Sequence, residues 1–369
     1  MTGAHMLHQH LSGDQSLRDL EQSALQYGVP VEDALLIAVN LCGITSEHQE
    51  RHRARINLRL VRQPAVAWQV IVPLNQPASP FRLRGEDLVL DGKVIAHVER
   101  IDADEAVGGY FRNNGRAATL NPNARSRCVG CAFCPNTLEA AADPRMGEDQ
   151  GLDELLLALV EQHPRHDLSE LTEVTVSTGC FEREEAALSH LVSLRAALTR
   201  AGVKARIGFL TSVLRTDAAF DALAEQVTPF VLRLTAECFT RRPVMLKDTK
   251  ASLLPEQMPD LLARALARGL DTSYTYIVGL DPMDRMVEGV GAMAEVSTCF
   301  PNFQVFQAHT PLMAGLRVAG AETLDYYLAA RQAIERAMAP TGLRPLGWEC
   351  YRPLWYFTYA GQDLLDARG

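Results

Sequence analysis

The chain has 369 residues, 47% of them hydrophobic and 22% charged, and a formal net charge of −9. That length makes two domains the expectation, and the composition supports a large buried core rather than disorder. The acidic balance argues against a general nucleic-acid or membrane-surface binder, and no run of about 18 apolar residues is present to span a bilayer.

In chain order, Leu17, Leu20, Ala24 and Leu25 recur at helical spacing, and Val31 through Leu41 repeats the pattern after Gly28 and Pro30. Residues 55–100 change to short alternating runs, at 55–61, 67–72 and in a pair, 88–90 and 94–96, folded on the Asp91-Gly92 turn. Residues 1–112 therefore read as a small N-terminal α+β accessory domain without a catalytic motif. From about residue 115, strand and helix alternate. Strands are expected at 118–121, 173–177, 205–210, 230–235, 273–278 and 303–308. Helices are expected at 152–162, 184–201, 218–226, 255–268, 285–299 and 321–339. Six strand–helix units imply a parallel sheet with helices outside, either an open doubly wound sheet or a full or partial (β/α)6 TIM-like barrel over 113–340. No Gly-x-Gly-x-x-Gly or Walker loop follows any strand, which disfavours a dinucleotide-binding domain. An aromatic extension, 341–369, either caps the barrel mouth or seals its bottom.

Eight cysteines in so long a chain are too sparse for a secreted disulfide framework, and residues 1–10 hold no apolar leader core, so a reducing, cytoplasmic setting is expected. Three of the eight, Cys128, Cys131 and Cys134, form a C-x2-C-x2-C triplet in the loop after the first parallel strand. Thiolates select soft metals, and three of them on a tight loop hold three irons of a four-iron cluster while leaving the fourth open. Gly130 lets the loop bend, Pro135 fixes its exit, and Arg125 and Arg127 favour thiolates and an anionic cluster. The bland alternatives are three unrelated thiols or a zinc loop borrowing a distant ligand, since a structural zinc needs four.

With Phe133 directly before its last cysteine, and in the first loop of a β/α barrel, the triplet resembles the radical S-adenosylmethionine (SAM) superfamily over about residues 115–315. The usual spacing there is C-x3-C-x2-C, so this chain is one residue shorter in the first gap. The resemblance implies that Cys128, Cys131 and Cys134 bind a [4Fe–4S] cluster whose open iron is chelated by SAM, with Phe133 in the cofactor-binding set. One electron would then cleave SAM to a 5′-deoxyadenosyl radical that abstracts hydrogen from substrate.

Further positions follow from the same resemblance. Ser177, Thr178 and Gly179 stand where a turn takes the SAM amino group, or form a bare strand-ending turn. Glu237 matches an acidic residue for the ribose hydroxyls, and Arg242 and Lys247, beside Arg241, are candidates for the SAM carboxylate or else a solvated basic run. His309, after the sixth strand, contacts substrate or SAM, or is a hydrogen-bonded structural histidine. Cys180 and Cys350 are hydrogen-atom donors or covalent partners, or buried free thiols. Tyr274 and Tyr276 share one strand face, with core packing as the expectation.

The expected activity is a radical SAM reaction on a small-molecule or peptide substrate, in natural-product or cofactor biosynthesis. A reductase such as flavodoxin or ferredoxin supplies the electron, and no nucleic acid or membrane is involved. Two rivals remain: cleavage of a different SAM C–S bond with 3-amino-3-carboxypropyl transfer, and a zinc- or cluster-binding regulatory or scaffold protein.

Overall fold

The computed structural model describes residues 16–46, 52–103, 108–120, 130–134, 151–177 and 181–364. Two helices open it. α1 (Leu17–Tyr27) starts at Ser16, whose hydroxyl accepts the Asp19 N–H at 3.2 Å while the Asp19 carboxylate accepts the Ser16 N–H at 2.9 Å. It stops at Gly28, at φ 63°, the left-handed geometry that glycine adopts without a Cβ penalty. In α2 (Val31–Cys42) every residue from Asp33 to Leu41 is buried, so this helix is enclosed on all sides rather than laid on a surface.

An antiparallel sheet follows, built from β1 (Arg53–Leu60), β2 (Gln63–Pro73), β3 (Phe81–Arg84), β4 (Asp87–Leu90) and β5 (Lys93–Ala103), in the order β2-β1-β5-β4-β3. The hairpin expected on Asp91-Gly92 is β4–β5, with both turn residues at positive φ. β3 has no counterpart among the expected strands. Its four residues offer too short an alternation to stand out.

The second sheet holds seven strands. They are β6 (Gly108–Arg112), β7 (Ala117–Leu120), β8 (Glu173–Val176), β9 (Arg206–Thr211), β10 (Phe230–Glu237), β11 (Asp271–Val278) and β12 (Asn302–Val305). β7 to β12 are the six expected parallel strands, adjacent in chain order, and β6 pairs antiparallel with β7 at one edge. Gly108–Arg112, placed in the N-terminal module on sequence grounds, thus belongs to the second sheet. The connecting helices are α3 (Leu152–Gln162), α4 (Glu184–Arg200), α5 (Asp217–Gln226), the short α6 (Arg242–Met245) and α7 (Asp248–Ala251), α8 (Met258–Leu266) and α9 (Met283–Ala294). The short α10 (Pro311–Ala314) and the long α11 (Leu324–Met338) come after β12.

β12 and β6 do not pair, so the barrel is partial. One stretch of the aromatic extension bridges its two open edges. The Val305 N–H on β12 donates to Arg352 O at 2.8 Å, and Arg112 of β6 donates through Nη1 to Glu349 O at 2.8 Å. Three peptide steps reach at most about 11 Å, so the two edges must curl toward each other.

Inside this seam Arg233, on β10, contacts Glu349 and pairs with Glu173 of β8 at 2.9 Å, all three side chains being almost wholly buried. Glu173 also holds Arg206, at the start of β9, at 2.7 Å. The cationic pair holds the Glu173 carboxyl down at about 2 against the burial that would raise it. The extension therefore closes the seam between the two edge strands.

The first module is tied into the same core. Asp33 of α2 accepts the N–H groups of Tyr356 and Phe357 at 2.7 and 2.8 Å and pairs with Arg331 of α11 at 2.9 Å. Gln307, just past β12, donates to Asn40 at 3.0 Å and to Ile71 O at 2.6 Å.

Candidate active site at the carboxyl ends of the strands

In parallel β/α sheets the strand carboxyl ends are where loops converge, and the cysteine loop lies there. Gly130, at φ 108°, carries the chain past Lys247, where an added Cβ would stand 3.0 Å from the Lys247 Cβ. Ala132 N–H then donates to Met245 O at 2.9 Å, and Cys134 N–H turns back to Cys131 O at 3.1 Å. Cys131 is buried among Cys238, Met245, Leu246, Ile277, Leu280 and Phe306, with Phe133 and Cys134 packed on that cluster. These residues come from the ends of β10, β11 and β12 and from the loops that follow.

Burial pushes the Cys131 thiol up, while the Lys250 ammonium and the Lys247 backbone N–H pull it the other way. Burial pushes the Cys238 and Cys350 thiols up to about 12, against the pull of Arg242 on the first and of Arg352 on the second. Among the described residues, no three His, Cys, Asp or Glu side chains converge as a metal site. Cys128, the third thiol of the triplet, lies outside the described residues, as do Thr178, Gly179 and Cys180.

β10 ends at Glu237 in a left-handed conformation, φ 62°, and Arg241 repeats it at φ 52°. A carboxylate that sequence reasoning passed over holds this loop. Asp281, fully buried just after β11, accepts the N–H groups of Phe239 and Thr240 at 2.6 and 2.7 Å, the Thr240 hydroxyl, and the Tyr276 hydroxyl at 2.8 Å. Strain at two non-glycine residues persists only where surroundings over-determine it, and four donors on one carboxylate do that.

The basic candidates divide. Arg242 is buried, and its guanidinium donates to Ala236 O, Cys238 O and Lys250 O at 2.5, 2.6 and 2.7 Å. It clamps the loop, its fork directed at carbonyls. Arg241 likewise donates to Leu280 O and Leu316 O, at 2.6 and 2.9 Å. Lys247 reaches the exposed Glu182 at 2.5 Å. Lys250 is the cation the sequence did not single out, and it pairs with Glu237 at 2.7 Å with both side chains mostly buried. Its only sequence signal was membership of the basic stretch after β10; one turn of α7 brings it back to the strand end.

Ser177 follows β8 and donates its N–H to Leu120 O at 2.9 Å, next to the end of β7. On the barrel side of neighbouring strands, the Thr235 and Thr275 hydroxyls are paired in register, buried, and without a hydrogen-bond partner. Tyr274 and Tyr276 are fully buried; the Tyr276 ring stacks on Phe239 at 4.9 Å, and Tyr274 meets Phe303 edge-on at 5.8 Å. They are core, as expected. Cys350 sits beside Phe303 near the start of β12, away from the cysteine loop.

His309 turns toward the first module. Its Nδ1 lies 3.1 Å from His52 O, and burial, with Arg53 next, pushes its pKa down to about 3.

No protein-family model matches the chain, and no curated protein matches it. Solved structures do. SuiB of Streptococcus suis, bound to S-adenosylmethionine, is 12% identical over 54% of this chain and 42% of its own, with a TM-score of 0.37. The FeFe-hydrogenase maturase HydG of Carboxydothermus hydrogenoformans is 16% identical over 61% and 53%, with a TM-score of 0.44. A radical SAM methyltransferase of Sphaerobacter thermophilus is 11% identical over 88% and 92%, with a TM-score of 0.36. The match thus spans about half or less of the length of the first two proteins.

Proposed function

We propose that the chain is a radical SAM enzyme acting on a small molecule or a peptide. The observation that carries this reading is the position of Cys131 and Cys134 on a loop seated over the carboxyl ends of β10, β11 and β12. The donor set suits the cofactors. Two neighbouring thiols, joined by Cys128, are the soft ligands of a [4Fe–4S] cluster with one open iron, and Lys250 offsets their negative charge. For SAM, the buried Thr235 and Thr275 hydroxyls are polar groups in want of a partner, Glu237 is the acceptor for ribose hydroxyls, and Lys250 is the nearby cation.

A cluster held by Cys128, Cys131 and Cys134 would supply reductive, radical-generating chemistry on SAM. The chain's own part is to orient and to exclude water. Met245, Ile277, Leu280 and Phe306 pack around the buried Cys131, and Asp281 and Arg242 hold the Glu237 loop in register. A reductase such as flavodoxin or ferredoxin completes the scheme. No helix among the described residues is long and apolar enough to cross a membrane.

Anaerobic reconstitution with iron, sulfide, SAM and dithionite, followed by mass spectrometry of the nucleosides, tests the proposal. Iron–sulfide absorbance and 5′-deoxyadenosine are expected, both lost in Cys131→Ala and Cys134→Ala. Methylthioadenosine as the product would move the reaction to 3-amino-3-carboxypropyl chemistry. Bound zinc with no iron–sulfide absorbance would sink the enzyme reading.

A further inference from the structure

The end of β10 sends three neighbouring side chains three ways. The β10–β11 register shifts between Thr235 and Glu237 and sets Glu237 opposite Tyr276, the kind of irregularity that re-aims a side chain beside a site. Glu237 then pairs with Lys250 at 2.7 Å. Cys238 is fully buried in the cluster that holds Cys131. Phe239 leaves in a third direction, its ring stacked on Tyr276 at 4.9 Å and its N–H donating to Asp281 at 2.6 Å.

Where the Phe239 ring meets the connecting helix α9, the helix has no side chain. A Cβ added to Gly289 would overlap the ring at Cε2 and stand 2.5 Å from Cδ2 and 2.6 Å from Cζ. Carbon atoms in contact sit about 3.5–4.0 Å apart, so a methyl group there must drive the ring back by about 1 Å. The stack on Tyr276 and the bond to Asp281 tie the ring to the strand ends, so the shift passes to the backbone of 237–239. Gly291, on the same helix, is exposed and has nothing within 4 Å of its own added Cβ. Glycine costs a helix interior stability relative to alanine, and of these two only Gly289 has a packing reason to be glycine.

We infer that Gly289 is a positioning residue for the candidate site: the bare helix backbone at this point sets where the Phe239 ring rests, and with it the direction of Glu237 toward SAM. The seat of the ring stands on the geometry alone; that Glu237 is directed at SAM rests on the radical SAM reading.

Two measurements on the full-length, reconstituted chain test it: SAM affinity by calorimetry, and the rate at which iodoacetamide alkylates Cys238, read by peptide mass spectrometry. Gly289→Ala should weaken SAM about tenfold or more and speed Cys238 alkylation by a similar factor, because the buried thiol moves with the loop. Gly291→Ala should leave both at the wild-type level while raising the melting temperature. In a Phe239→Ala background there is no ring to displace, so adding Gly289→Ala should change either reading by less than about twofold. Melting curves identify a Gly289→Ala chain that fails to fold; Phe239→Leu, which shortens the contact from the other side, is then read for the same two changes. Wild-type SAM affinity in Gly289→Ala, or an equal effect of that substitution with and without the Phe239 ring, overturns the inference. If alkylation responds as expected but no form of the chain binds SAM, the seat of the ring stands and the radical SAM reading falls. A chain that cleaves SAM and does not respond at Gly289 loses this inference alone.

Discussion

Asp281 shows how much one side chain decides at the carboxyl end of the barrel. It gathers two backbone N–H groups and two hydroxyls from β11 and the loop after β10, and its own carbonyl accepts from Tyr326 at 2.8 Å. Asp281→Ala leaves buried donors without an acceptor and should cost about 3 kcal/mol or more, read from denaturant unfolding. Asp281→Asn keeps one carbonyl oxygen and should cost less. If the proposed function holds, Asp281→Asn also raises the SAM concentration needed for cleavage, because Glu237 loses its held conformation. The cysteine triplet was legible in the sequence because ligand spacing along a chain is local information. Asp281 and Lys250 were not: one reads as a residue after a strand, the other as part of a charged run, and only their spatial neighbours distinguish them.

At the scale of elements, the aromatic extension behaves as the closing piece of an incomplete barrel. Glu349→Ala would leave the fully buried Arg233 with a single carboxylate partner, Glu173, and should cost about 3–5 kcal/mol. Equilibrium unfolding in urea measures that loss; a cost under about 1 kcal/mol, the range of an exposed pair, would contradict the buried seam. The six parallel strands and their helices stood out in the sequence, since apolar runs and amphipathic stretches alternate at regular length. β6 did not. It is a short antiparallel edge whose membership of the second sheet depends on pairing with β7.

Across the whole molecule, buried titratable groups set how stability responds to acid. His190 and His309 are pushed down from the ordinary 6.5 to about 4 and about 3 by burial, so the folded chain keeps both neutral where an unfolded one protonates them. Their stability contribution is complete above pH 6.5 and is lost as pH falls below it. The slope is at most about 1.4 kcal/mol per pH unit for each histidine. Glu173, depressed from 4.5 to about 2, adds a second loss confined between those values as its ion pairs are protonated away. Urea midpoints measured from pH 7.5 downward should fall, and His190→Leu should flatten the part of that slope between 6.5 and 4.

The sequence by itself determined the spacing of the cysteine triplet and the order of the elements, because residue spacing and hydrophobic period are properties of neighbours along the chain. The tertiary structure alone decided which basic residue reaches Glu237, that Arg242 faces carbonyls, and that the extension closes the seam. It also decided that His309 turns toward the first module. Those are outcomes of packing between segments tens to hundreds of residues apart, where burial and partner geometry, not residue type, settle what a side chain does.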